Sequence, residues 1–208
     1  MTKSRIVEHS APSVGTLRRR ALDAARILLE QGGPEALHLR TIAAKIGCGA
    51  ASLYYHFTGK DALLGALAME GFQELRQAMT KVVQSREFVR DIDSASAGYL
   101  RFMGQNLQLY ALMYSEHILA NNEAVRDVER HVLEVFQDAL RSDDRVPADK
   151  IEEASLAYSA FGRGIAAVIL SQGNLAPEAT RLLGQKIVSG FGVLLQTQFL
   201  TADQARRE

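Results

Sequence analysis

Residues 38–60 read HLRTIAAKIGCGAASLYYHFTGK, two short helical patterns on either side of a glycine turn. Leu39, Ile42, Ala43 and Ile46 recur at helical spacing, so the first helix has one apolar face. Gly47-Cys48-Gly49 interrupts it, because glycine reaches backbone angles that other residues avoid. Ala50, Leu53, Tyr54 and Phe57 then give a second apolar face. Two helices of this length on so tight a turn predict a helix-turn-helix over about 38–57, whose second helix enters the DNA major groove.

The charge distribution agrees with that expectation. The 208 residues carry 24 Lys/Arg and 24 Asp/Glu, a net of zero. Residues 1–60 hold nine Lys/Arg and four Asp/Glu, a net of +5, and residues 61–208 hold fifteen and twenty, a net of −5. A basic module on an acidic body suits phosphate binding. Hydrophobic residues make up 47%, enough for a sizeable core. No strand pattern, repeat or low-complexity tract interrupts the helical periods, so the fold class is all-α.

Candidate DNA contacts follow from position. Arg40 and Thr41 open the motif's first helix, where amides and side chains can grip phosphate. Ala50, Ala51 and Ser52 face the groove in ordinary docking, and small side chains can meet thymine methyls. Tyr54, Tyr55 and His56 can hydrogen-bond phosphate or base, with Tyr54 shared between DNA and packing and Phe57 assigned to packing. Lys60 opens the next helix, where its charge opposes the dipole and a phosphate would account for it. Arg18, Arg19 and Arg20 start the chain's first helix, after an arm over residues 1–15, with Thr16 or Ser13 as cap. They suit either phosphate contact or a solvated face. Cys48 is the single cysteine and reads as a turn residue, so no disulfide forms within the chain. No His or Cys accompanies His56 at ligand spacing, so neither metal nor cofactor is expected.

The stretch also closely resembles the DNA-binding signature of the tetracycline-repressor (TetR) family. The matching residues are Leu39-Arg40-Thr41-Ile42-Ala43, Gly47, Leu53-Tyr54-Tyr55-His56-Phe57 and Lys60-Asp61-Ala62-Leu63-Leu64, a gap-free match over 26 positions. One departure is Gly49, where the family usually has a hydroxylic or acidic helix cap. The resemblance implies a three-helix DNA-binding domain over 1–60 and a helical ligand-binding and dimerisation domain over 61–208, about nine helices in all. It implies a homodimeric regulator, most often a repressor, that binds a double-stranded operator and leaves it on taking up a small, largely apolar effector.

The body carries its own signals. A helix over about 60–83 has the stripe Leu64, Leu67, Ala68, Phe72, Leu75, Met79 and Val82, and 84–93 reads as a connection. Residues 94–120 place Tyr99, Phe102, Met103, Leu107, Tyr110, Met113 and Tyr114 at helical spacing over about four to five turns. Such residues are usually core. Interleaved Arg101, Gln105, Asn106 and His117 also allow an apolar ligand site. Its expected lining is Phe102, Met103, Leu107, Tyr110, Met113, Tyr114 and His117, with Phe136 and Phe161 from later helices. Asn121 or Asn122 can cap the amphipathic helix 123–141.

Two C-terminal helices, entered at Pro147 and Pro177, carry more apolar surface than their own fold easily covers. In TetR-like proteins the corresponding pair forms a four-helix interface with its copy, which here implicates Ile165, Ile169, Leu183, Ile187, Phe191 and Leu194. No apolar run is expected to span a bilayer, the best being 164–170, and residues 1–12 lack a signal-peptide core. A cytoplasmic location is expected. One alternative is a helical-bundle enzyme. No nucleophile with a base, phosphate loop or metal set appears, and Glu116 adjoins His117 without Glu-x-x-His spacing. The other is a protein-interaction adaptor without DNA binding.

Overall fold

The structure is a computed structural model that describes residues 14–81, 92–142, 146–173 and 175–204. Among the described residues there are ten α-helices, two short 3-10 turns and no strand. The chain divides into two compact units, one through Leu67 and one from Ala68.

The first unit contains α1 (Val14–Gly32), α2 (Leu39–Ile46), α3 (Ala50–His56) and the opening turns of α4 (Lys60–Lys81). Val14 and Gly15 are already helical, where the sequence predicts the end of an arm. The candidate cap Ser13 lies outside the described residues. Gly33 takes φ 68, and Pro34 opens a 3-10 turn through Ala36. Leu22, Ala25 and Leu29 of α1 meet Leu39 and Ile42 of α2, Leu53, Phe57, and Leu63 of α4 in one core, each at most 5% exposed. Each large apolar side chain so buried stabilises the unit by about 1.5–3 kcal/mol before entropy is counted.

The second unit continues α4 and adds α5 (Ile92–Gln105), α6 (Leu107–Met113), α7 (Glu116–Asn121), α8 (Glu123–Arg141), α9 (Ile151–Ser171) and α10 (Pro177–Gln204). The predicted connection 84–93 lies outside the described residues except its last two, which are helical. Residues 94–120 are not one run of turns. Asn106 leaves the helix at φ −136, ψ 48 and its side-chain amide donates to the Phe102 carbonyl at 3.0 Å. Ser115 makes the second break. Asn122 caps α8 by accepting from the Val125 amide at 3.2 Å, about 1 kcal/mol by the usual measure of such caps.

Two glycines let helices close up. A Cβ on Gly98 of α5 would stand 2.5 Å from the Ala78 carbonyl oxygen of α4. One on Gly162 of α9 would overlap the Tyr99 ring. The segment Ala148–Ser171 is long and apolar enough by length and composition to cross a membrane, with mean hydropathy 1.3 over its best window, which corrects the expectation of no such run. Its own fold uses part of that surface: Ser155, Ser159, Gly162, Ile165, Ala166 and Ile169 are buried within the unit.

Candidate nucleic-acid interface and effector cavity

The recognition geometry begins at the turn. Gly47 ends α2 in the left-handed region, φ 69 and ψ 41, and its amide donates to the carbonyls of Ala43 and Ala44. The Cys48 amide donates to the Ala43 carbonyl at 3.0 Å. From α1 the Arg20 guanidinium donates to the Ile46 carbonyl, satisfying another end group of α2. Gly49 then caps α3 without a side-chain bond, its carbonyl accepting from the Ser52 amide at 3.0 Å.

Leu53 at 0% and Phe57 at 1% exposure fix the rotation of α3. The helical period therefore turns Ala51, Ser52, Tyr54 and Tyr55 outward, Tyr55 to 82% exposure. Ala50 and His56 are half-buried, and the His56 ring meets Tyr55 edge-on at 5.4 Å. Arg40 and Thr41 are exposed on the first turn of α2. They line a hollow of about 400 Å³ with His38, Tyr54, Gly59 and Lys60. The Lys60 ammonium lies 3.7 Å from the Glu35 carboxylate. No Asp or Glu occurs between 38 and 60, so the outward face offers hydroxyls, phenols and cations only.

The arginine triplet has internal work. Arg18 lies over the Phe57 ring at 5.4 Å, Arg19 pairs with Asp23, and Arg20 holds α2. Neither a purely solvated face nor a purely phosphate-directed one describes them.

In the second unit Tyr99, Tyr110, Tyr114, Phe72 and Phe136 pack ring against ring at 4.8–5.8 Å. The Tyr99 and Tyr110 hydroxyls share a hydrogen bond. Burial raises all three phenols above their ordinary value, Tyr110 and Tyr114 well above it, so they remain protonated donors. Arg163 lies over the Tyr114 ring at 5.4 Å. Burial also raises the Glu129 carboxyl, opposed by the charges of Arg163 and Arg130. A separate cavity of about 620 Å³ lies between α5, α9 and α10.

Residues 21–67 match the family model described as bacterial regulatory proteins, tetR family. Over this segment the chain is similar to the DNA-binding part of that family. It is 37% identical over 75 residues to the HTH-type nicotine-responsive transcriptional repressor HdnoR of Paenarthrobacter nicotinovorans, covering 36% of this chain and 39% of that one. The match thus spans about two fifths of that relative's length. The fold is similar over most of the chain to a protein of unknown function from Rhodococcus sp. RHA1, with TM-score 0.67, 24% identity and coverage of 88% and 98%. It is also similar to a bacterial regulatory protein in the tetR family from Rhodococcus RHA1, with TM-score 0.58, 19% identity and coverage of 85% and 98%.

The sequence-predicted effector residues divide. Phe102, Met103, Tyr110, Met113 and Phe136 are buried, Leu107, Tyr114 and Phe161 half-buried, and His117 exposed. Only Met103 among them lines the cavity. The other walls include Leu100, Arg101, Gln105, Thr180, Gln185 and Val188. Arg101 and Gln105 were visible as polar groups in an apolar helix; the α10 residues had no such signal.

The predicted dimer residues divide by helical phase. Ile165 and Ile169 are 1% exposed within the chain itself, so as α9 stands they offer no surface to a second copy. Its outward face carries Leu156 and Val168 instead, at 48% and 44% exposure. Leu183 and Ile187 are half-buried, Phe191 and Leu194 exposed. Phe191 packs against Phe161 with ring centroids 4.4 Å apart, tilted at 30°, joining α10 to α9.

Proposed function

We propose that this chain is a DNA-binding transcriptional regulator that acts as a homodimer on a near-palindromic double-stranded operator and leaves it when a small effector binds the second unit. The observation that carries this reading is the outward face of α3. Leu53 and Phe57 anchor the helix, while Ser52, Tyr54 and Tyr55 are solvent-facing beside Arg40, Thr41 and Lys60. That is the arrangement a recognition helix needs: phosphate contacts for register and small or phenolic groups for base edges.

The dimer is supported by exposed Leu156, Val168, Leu182, Phe191, Val193 and Leu194 on α9 and α10, a concentration of large apolar side chains on two helices. Two copies would present two α3 helices one DNA turn apart. An effector that prefers another spacing weakens DNA binding by its differential affinity for the two states. A repressor role accords with that of HdnoR, a nicotine-responsive transcriptional repressor. Action on the genome accords with a cytoplasmic location. The tetR family consists of regulators rather than enzymes, and no catalytic residue is assigned.

The test is fluorescence anisotropy with DNA from upstream of the chain's own gene. Wild type is expected to bind specifically, and Tyr55→Ala to bind at least about tenfold more weakly with an unchanged melting temperature. Equal affinity of the two proteins would refute the assignment of α3.

A further inference from the structure

The cavity between α5, α9 and α10 has a chemistry of its own. Its volume of about 620 Å³ lies within the range of small-molecule sites. Leu100, Met103, Ile169 and Val188 give it apolar walls. Two guanidinium groups, Arg101 and Arg181, also line it, and no Asp or Glu does. Arg181 is already engaged, donating to Glu178 at 3.1 Å and to Gln185 at 3.1 Å. Arg101 is exposed, and its guanidinium has no carboxylate within ion-pair distance among the described residues. The room is kept by missing side chains. A Cβ on Gly104 would meet nothing within 4 Å, and one on Gly184 would meet only Ile169 Cδ1 at 3.9 Å.

We infer that this cavity binds a small amphiphilic anion, with its apolar body against Leu100, Met103, Ile169 and Val188 and its carboxylate or equivalent group on Arg101. A guanidinium matches a planar carboxylate with two parallel donors. An organic cation would face the Arg101 guanidinium with no lining carboxylate to receive it, Arg181 being paired with Glu178, which selects against it. A neutral amphiphile would gain the walls but not the charge-assisted bond. The inference rests on the proposed function only for the ligand's role as effector, not for its binding.

The experiment is calorimetric titration of the full chain with sodium decanoate, 1-decanol and decyltrimethylammonium, each below its micelle concentration. Decanoate is expected to bind once per chain, at least about tenfold tighter than the other two. Arg101→Gln, at an exposed position, is expected to lose that preference while binding decanol unchanged. Gly184→Leu, which fills the cavity, is expected to abolish decanoate binding, with an unaltered helical circular dichroism spectrum as the folding control. Equal or tighter binding of the cation or the alcohol overturns the inference. So does decanoate binding that both variants leave intact, or no binding of any probe. A parallel anisotropy assay on the upstream DNA separates the two claims: decanoate bound at the cavity without release of DNA overturns the effector role and supports the site.

Discussion

Lys60 has a partner within the chain and, on the proposed function, a second on DNA. Its ammonium sits 3.7 Å from Glu35, yet Glu35 is 93% exposed, so the pair is a surface one. Such pairs contribute about 0–1 kcal/mol, little enough for a phosphate to take over the contact. Lys60→Ala is therefore expected to leave folding nearly unchanged and to flatten the slope of log K against log salt by up to about 0.9. An unchanged slope would remove it from the interface. Glu129 makes a different case. Burial holds its carboxyl above the ordinary 4.5 despite Arg163 and Arg130. A carboxyl with a raised folded-state value destabilises the fold once ionised. That cost is absent below the ordinary value, grows as pH rises towards the raised one, and is complete above it. Glu129→Gln is expected to raise the melting temperature at pH 7, by an amount that vanishes near roughly pH 3. A gain that grows on acidification would contradict this.

At the scale of the element, the turn between α2 and α3 is decided by two glycines with different reasons. Gly47 has φ 69, which a side chain opposes. Gly47→Ala is expected to cost about 1–2 kcal/mol in chemical denaturation. Gly49 has φ −69, and a Cβ there would meet only Ser52 Oγ at 4.0 Å, an ordinary contact. Gly49→Ser is expected to gain a few tenths of a kcal/mol by capping α3. These helices were legible because the glycines, the apolar period and the motif all lie within one short stretch. The segment 94–120 was harder. Its breaks at Asn106 and Ser115 carry no glycine or proline, and local side-chain bonds make them. The phase of α9 was also hidden: Ile165 and Ile169 are as apolar as Val168, and only packing against neighbouring helices decides which turns inward. The same holds for the cavity. Aromatic residues marked the place where side chains fill space, while glycines on α5 and α10 mark where they do not.

At the scale of the molecule, the proposed function rests on two copies. The exposed apolar groups of α9 and α10 supply a surface whose burial stabilises association at about 25 cal/mol per Å² before the cost of bringing two chains together. Leu194 is among the most exposed of them, at 62%, so a charge there acts on association more than on the protomer fold. DNase footprinting of the upstream DNA, with wild type and Leu194→Glu, is the most direct measurement. Two protected half-sites are predicted on one face of the duplex, with centres about 34–36 Å apart, and protection lost in the variant at concentrations that saturate wild type. A single protected patch, or equal protection by a monomeric Leu194→Glu chain, would contradict the account.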